Sequence, residues 1–166
     1  MPLVLLGVVV AVAIWLFDAR TTSVVIVVRH AEMESGTTPN LGLNPAGQQR
    51  AKALQQLLAQ AKPGRGVDAI YVSEGAATQQ TATPLAESMG LAVNVVPSAT
   101  WSELPRAIGR DHAGEVVLVV ATRDAMQSLV TAVSGEKPSV DEQEYSAVFV
   151  ISQSRLSKPA VVKLRY

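Results

Sequence analysis

The stretch Val24-Val25-Ile26-Val27-Val28-Arg29-His30-Ala31-Glu32 decides how this chain is read. Five consecutive β-branched apolar residues predict a strand covered on both faces, as at the centre of a parallel sheet. The strand ends in a guanidinium and an imidazole. Ligands of open α/β sheets bind beyond the carboxyl ends of the strands, which places Arg29 and His30 where chemistry is usually done. An arginine there is suited to gripping phosphate through two parallel bonds, and a histidine can act as nucleophile or acid–base group.

Working outward, the alternation of elements predicts the rest of the domain. Asn44-Pro45 is a helix start, because Asn caps well and Pro at the first helical position forfeits no hydrogen bond. Ala51, Leu54, Leu58 and Ala61 follow on one stripe, and Pro63-Gly64 ends the helix. A second strand is predicted over 69–72, a second helix over 76–89 closed by Gly90, and a third strand over 91–96. A helix over 101–110 precedes a second continuous apolar strand at 115–120. A helix from Asp124 through Val133 and closing strands at 145–151 and 160–165 complete the pattern. This spacing predicts a three-layer α/β/α fold with a mostly parallel central sheet.

The first 17 residues stand apart. Leu3 to Phe17 is apolar and uncharged, followed by Asp18, Ala19 and Arg20. A helix of that length spans roughly 22 Å at ~1.5 Å per residue, near the lower limit for crossing a bilayer. We therefore expect an N-terminal hydrophobic helix at 1–20 acting as a membrane anchor or export signal, followed by one domain at 21–166. The membrane is an expected partner through residues 1–17. The corresponding localisation is an inner membrane with the domain on the periplasmic, extracytoplasmic face, or alternatively an exported and processed protein.

Composition excludes several functions. With 14 basic and 14 acidic residues the net charge is zero and no basic block is present, which argues against nucleic acid as a partner. Cysteine is absent, so disulfides and thiolate chemistry are ruled out. His30 and His112 are the only histidines, too few for a multi-histidine metal site, and neither metal nor cofactor is expected.

Four segments, in order and spacing, resemble the histidine phosphatase (phosphoglycerate-mutase-like) superfamily. V-V-R-H-A-E at 27–32 is similar to the family's R-H-G or R-H-A strand. L-N-P-A-G-Q-Q-R-A-K-A-L at 43–54 is similar to its L-T-x-x-G helix start. Y-V-S-E-G-A-A-T-Q-Q-T-A at 71–82 is similar to its S-x-x-x-R-T segment, and E-V-V-L-V-V-A-T-R-D-A-M at 115–126 to its strand leading into V-G-H. With P-L-A-E at 84–87 and E-Y at 144–145, the likeness runs over about 23–151.

The resemblance implies two arginines and two histidines around one phosphoryl group, one histidine becoming phosphorylated. Arg29 and His30 match the first pair, as phosphate-binding residues and, for His30, as phospho-acceptor. Ala77 stands in the place of the second arginine and Thr122 in the place of the second histidine. The chain therefore looks like a degenerate member. Two readings follow: a phosphoester-binding pseudophosphatase, or an active phosphatase working through phospho-His30. Either takes a phosphate-bearing small molecule or a phosphoprotein as partner. Arg123 and Arg106 are conceivable substitute cations; Glu32, Glu74 and Glu103 are conceivable general acids. Trp101 reads as a core or rim residue. His112 falls before the fourth strand, at the sheet end opposite the site.

Overall fold

A computed structural model of the chain describes residues 21–37, 40–59, 66–154 and 158–166. The β-branched run forms β1 (Ser23–Arg29), whose last five residues are all buried. Burial on both faces follows from its place inside the sheet, between β4 (Val116–Ala121) in parallel and β5 (Ala147–Gln153) in antiparallel register. β2 (Ala69–Ser73) pairs parallel with β4 and with β3 (Val93–Val96), and β6 (Ala160–Arg165) closes the other edge against β5. The order is β3-β2-β4-β1-β5-β6. The sheet is thus mixed: β3, β2, β4 and β1 are parallel, β5 alone runs against them, and β6 pairs antiparallel with β5.

Helices cover both faces. α1 (Pro45–Ala59) and α2 (Ala76–Met89) pack over Ile26, Val28, Ile70, Val72, Leu118 and Val120. A 3₁₀ turn (Ser98–Glu103), α3 (Leu104–Asp111) and α4 (Arg123–Ser134) pack over Val25, Val27, Val117, Val119, Phe149 and Ile151. Asn44 caps α1, its Oδ1 accepting the Gly47 N–H at 2.9 Å. Gly47 itself is where α1 meets the chain leaving β1. A Cβ there would stand 2.1 Å from the Glu32 carbonyl oxygen, so only glycine permits the approach.

Three predicted boundaries shift. The helix expected at 101–110 divides into the 3₁₀ turn and α3, because Pro105 sits at the start of a helix and marks a new beginning. The strand expected from 145 begins at Ala147, since Tyr145 is used as a loop residue against Arg29. The strand expected from 91 begins at Val93.

The apolar run at 1–20 lies outside the described residues, and so does the hydrophobic helix expected there. Among the described residues no helix is long and apolar enough to cross a membrane. That finding corrects the membrane-anchored localisation: the described chain is an α/β domain without a spanning element.

Candidate functional site

The carboxyl ends of β1, β2 and β4 open on one end of the sheet, delivering His30, Ser73-Glu74-Gly75 and Thr122 to a common surface. His30 is buried. Its N–H donates to the Ala121 carbonyl at 2.9 Å, extending the β1–β4 ladder one residue past the strand. Its Nδ1 lies 2.8 Å from the Ala31 carbonyl oxygen. A carbonyl can only accept, so Nδ1 carries the proton and Nε2 keeps its lone pair in the neutral ring. Burial pulls the imidazole pKa below its ordinary value, opposed by the Ala31 bond, and the Arg29 charge pulls it further down.

The next residue fixes the neighbouring helix. The Ala31 N–H donates to Thr81 Oγ1 at 3.0 Å, and that hydroxyl donates on to the Ala77 carbonyl at 2.7 Å. Thr81 thereby ties the end of β1 to the first turn of α2. No pattern in the sequence distinguishes it from other helix threonines.

A cleft of about 230 Å³ is lined by His30, Ala77, Thr78 and Thr122, with Met33, Asn40 and Leu41 on the outer side. Ala77 and Thr122, which the sequence resemblance sets against the family's charged positions, therefore face the same space as His30. Ala77 is buried, in a small cluster with Ala31, Leu43 and Ala51. Thr122 caps α4, its hydroxyl accepting the Ala125 N–H at 3.4 Å. The first turn of α2 and the capping residue of α4 both line the cleft. Each helix start carries partial positive charge from its unpaired N–H groups. Among the described residues, no lysine or arginine lines it.

Arg29 is not in that lining. Its guanidinium carbon lies 4.1 Å from the centre of the Tyr145 ring, and Nη1 donates to the Glu142 carbonyl. Leaving this position would cost on the order of 2 kcal/mol for a desolvated cation–π contact. The charged hydrogen bond adds about 1.5–3 kcal/mol. Arg29 and His30 are thus adjacent in sequence and separated in direction. Tyr145 neighbours both, its ring centre 6.1 Å from that of His30 in an edge-on arrangement.

Neither substitute cation lines the cleft. Arg123 pairs with the Glu142 carboxylate at 3.2 Å and with Asp124 at 3.4 Å, and Arg106 is exposed on α3. Glu32 is held by Arg50 through contacts of 2.6–2.9 Å, and that bond keeps its carboxyl below the usual carboxylate range. Glu103 is exposed at the end of the 3₁₀ turn. Glu74 alone of the three lies beside the site, in a second cleft of about 410 Å³ with Trp101 and Ser98 that shares Gly75 and Thr122 with the first. His112 caps the far end of α3, where Nε2 lies 2.8 Å from the Tyr71 hydroxyl and Nδ1 2.6 Å from Glu115. It takes no part in the cleft.

Comparison with known proteins agrees with this architecture. A family model, histidine phosphatase superfamily (branch 1), matches residues 25–105. This match, over just under half of the chain, supports membership of the histidine phosphatase superfamily. The protein histidine phosphatase SixA, solved with tungstate, superimposes with a TM-score of 0.71 at 17% identity, covering 86% of this chain and 96% of that one. A mycobacterial hydrolase gives 0.67 at 14% identity, covering 87% and 99%. A phosphoserine phosphatase from Entamoeba histolytica, solved with 3-phosphoglyceric acid, gives 0.65 at 13% identity, covering 87% and 97%. At such identities the likeness concerns the fold. No curated protein matches the sequence.

Proposed function

We propose that the protein holds the phosphoryl group of a phosphomonoester in the His30 cleft, on a small molecule or a phosphoprotein, and turns it over poorly. The observation that carries this reading is the composition of the cleft: His30, Ala77 and Thr122 line it together, and among the described residues no lysine or arginine does. Phosphoryl transfer is catalysed mainly by preorganised positive groups around the equatorial oxygens. Removing one such donor commonly costs ~10²–10³ in rate. Two missing donors correspond to about 10⁴ or more when the losses add. What remains for the anion is weaker: the starts of α2 and α4 and the Thr122 hydroxyl, joined by the His30 imidazole when Nε2 is protonated. Arg29 contributes charge without lining the cleft. The tetrahedral tungstate held by SixA is the kind of oxyanion these groups would receive.

A second reading, slow hydrolysis through phospho-His30, is favoured by one feature. The Ala31 carbonyl keeps the proton on Nδ1, leaving Nε2 free to attack phosphorus while the ester P–O bond breaks and the departing oxygen takes a proton. Water would then cleave the P–N bond.

An aryl-phosphate assay on the wild type, His30→Ala, Thr122→His and the double variant Ala77→Arg/Thr122→His separates them. The expected result is negligible wild-type turnover, with activity emerging in the restored variants. Circular dichroism accompanies Ala77→Arg because Ala77 is buried, and Thr122→His, at an exposed position, gives a readout independent of that risk. Brisk wild-type turnover abolished by His30→Ala would overturn the impaired reading. Tungstate binding unaffected by His30→Ala would overturn the site itself.

A further inference from the structure

The second cleft gives the site a direction. It joins the His30 cleft along Gly75 and Thr122, so the organic part of a phosphomonoester seated at His30 runs into it. Its floor is Trp101, a buried indole whose N–H donates to the Ala125 carbonyl at 3.0 Å. That donor is spent, and the ring offers an apolar wall. The one charged side chain among the described residues lining either cleft is Glu74. Its Oε2 accepts both the backbone N–H and the hydroxyl of Ser98, each at 2.8 Å. These bonds hold the carboxyl below its usual range, so it stays ionised and is unsuited to giving a proton to a leaving group.

Resting on the phosphoryl site proposed above, we propose that Glu74 and Trp101 select a small phosphomonoester whose organic part carries a fixed positive charge, such as an alkylammonium. An ammonium gains from a fixed carboxylate and from an indole beside it. A ligand with a second anionic group, by contrast, meets Glu74 with no basic lining residue to offset it.

The test compares three probes by titration calorimetry: phosphocholine, its uncharged isostere 3,3-dimethylbutyl phosphate, and 3-phosphoglycerate. In the wild type phosphocholine is expected to bind about three- to tenfold tighter than the isostere, the range for a partly exposed ion pair reinforced by an aromatic wall. 3-Phosphoglycerate is expected to bind weakest. Glu74→Gln should erase the preference, and Glu74→Lys should invert it towards 3-phosphoglycerate; both changes fall on an exposed side chain. Equal affinity for phosphocholine and its isostere, or a preference that survives Glu74→Gln, overturns the inference while leaving the phosphoryl site standing. Loss of all three probes' binding, or binding indifferent to His30→Ala, overturns the phosphoryl site and the inference with it.

Discussion

Glu144 offers the sharpest test of how the site's surroundings are held. Its side chain is 9% exposed and accepts from Lys163 Nζ and Arg165 Nε, each at 2.9 Å, and from the Asp141 N–H at 3.4 Å. The carboxylate thus staples the segment carrying Glu142 and Tyr145 onto edge strand β6. These bonds, Lys163 first, pull the Glu144 pKa from 4.5 down to about 2. At 1.36 kcal/mol per pKa unit that difference corresponds to about 3 kcal/mol. Lys163 and Arg165 are 32% and 71% exposed, and solvent screening reduces the expected contribution to about 1–2 kcal/mol. A folded carboxyl with a depressed pKa stabilises fully above its unfolded value, and the stabilisation fades as pH falls from about 4.5 towards 2. Glu144→Gln should therefore lower stability by about 1–2 kcal/mol at pH 7 in urea unfolding followed by circular dichroism. The gap from wild type should narrow at pH 4 and nearly close at pH 2.5. A gap below about 0.5 kcal/mol at pH 7, or one of the same size at pH 7 and pH 2.5, would refute the reasoning.

Three other outcomes follow from the same geometry. Gly47→Ala places a methyl 2.1 Å from the Glu32 carbonyl and should cost about 1–3 kcal/mol or more in urea unfolding, unlike a helix glycine in open space, where alanine is favourable. The His30 ring signals should titrate with a midpoint below 6.5 in a pH series of NMR spectra, and a midpoint above 6.5 would contradict its burial. Because the folded pKa is lowered, His30 should reduce stability as pH falls below 6.5. Tyr145→Leu should cost up to about 2 kcal/mol by removing the aromatic face under Arg29, and wild-type stability in that variant would argue against the contact.

The parallel core was legible because β1 and β4 carry continuous, valine-rich apolar runs, as strands buried on both faces require. The location of His30 was legible for the same reason, since it begins where the run ends. The direction of Arg29 was not. It depends on Glu142, 113 residues further along, and on Tyr145, whose position nothing near Arg29 dictates. Glu74 was one of three interchangeable carboxylates in the sequence; only the fold separates it from Glu32, which Arg50 captures. Thr81 and Trp101 carried no signal beyond ordinary helix and core composition.

The bond from the His30 ring to the Ala31 carbonyl is made to the main chain, not to a side chain. No amino-acid replacement elsewhere can delete that acceptor, so the choice of tautomer is inherited with the backbone trace. Under the impaired reading proposed above, the nucleophilic nitrogen stays available whatever stands at positions 77 and 122, and rearming the centre would take two codons.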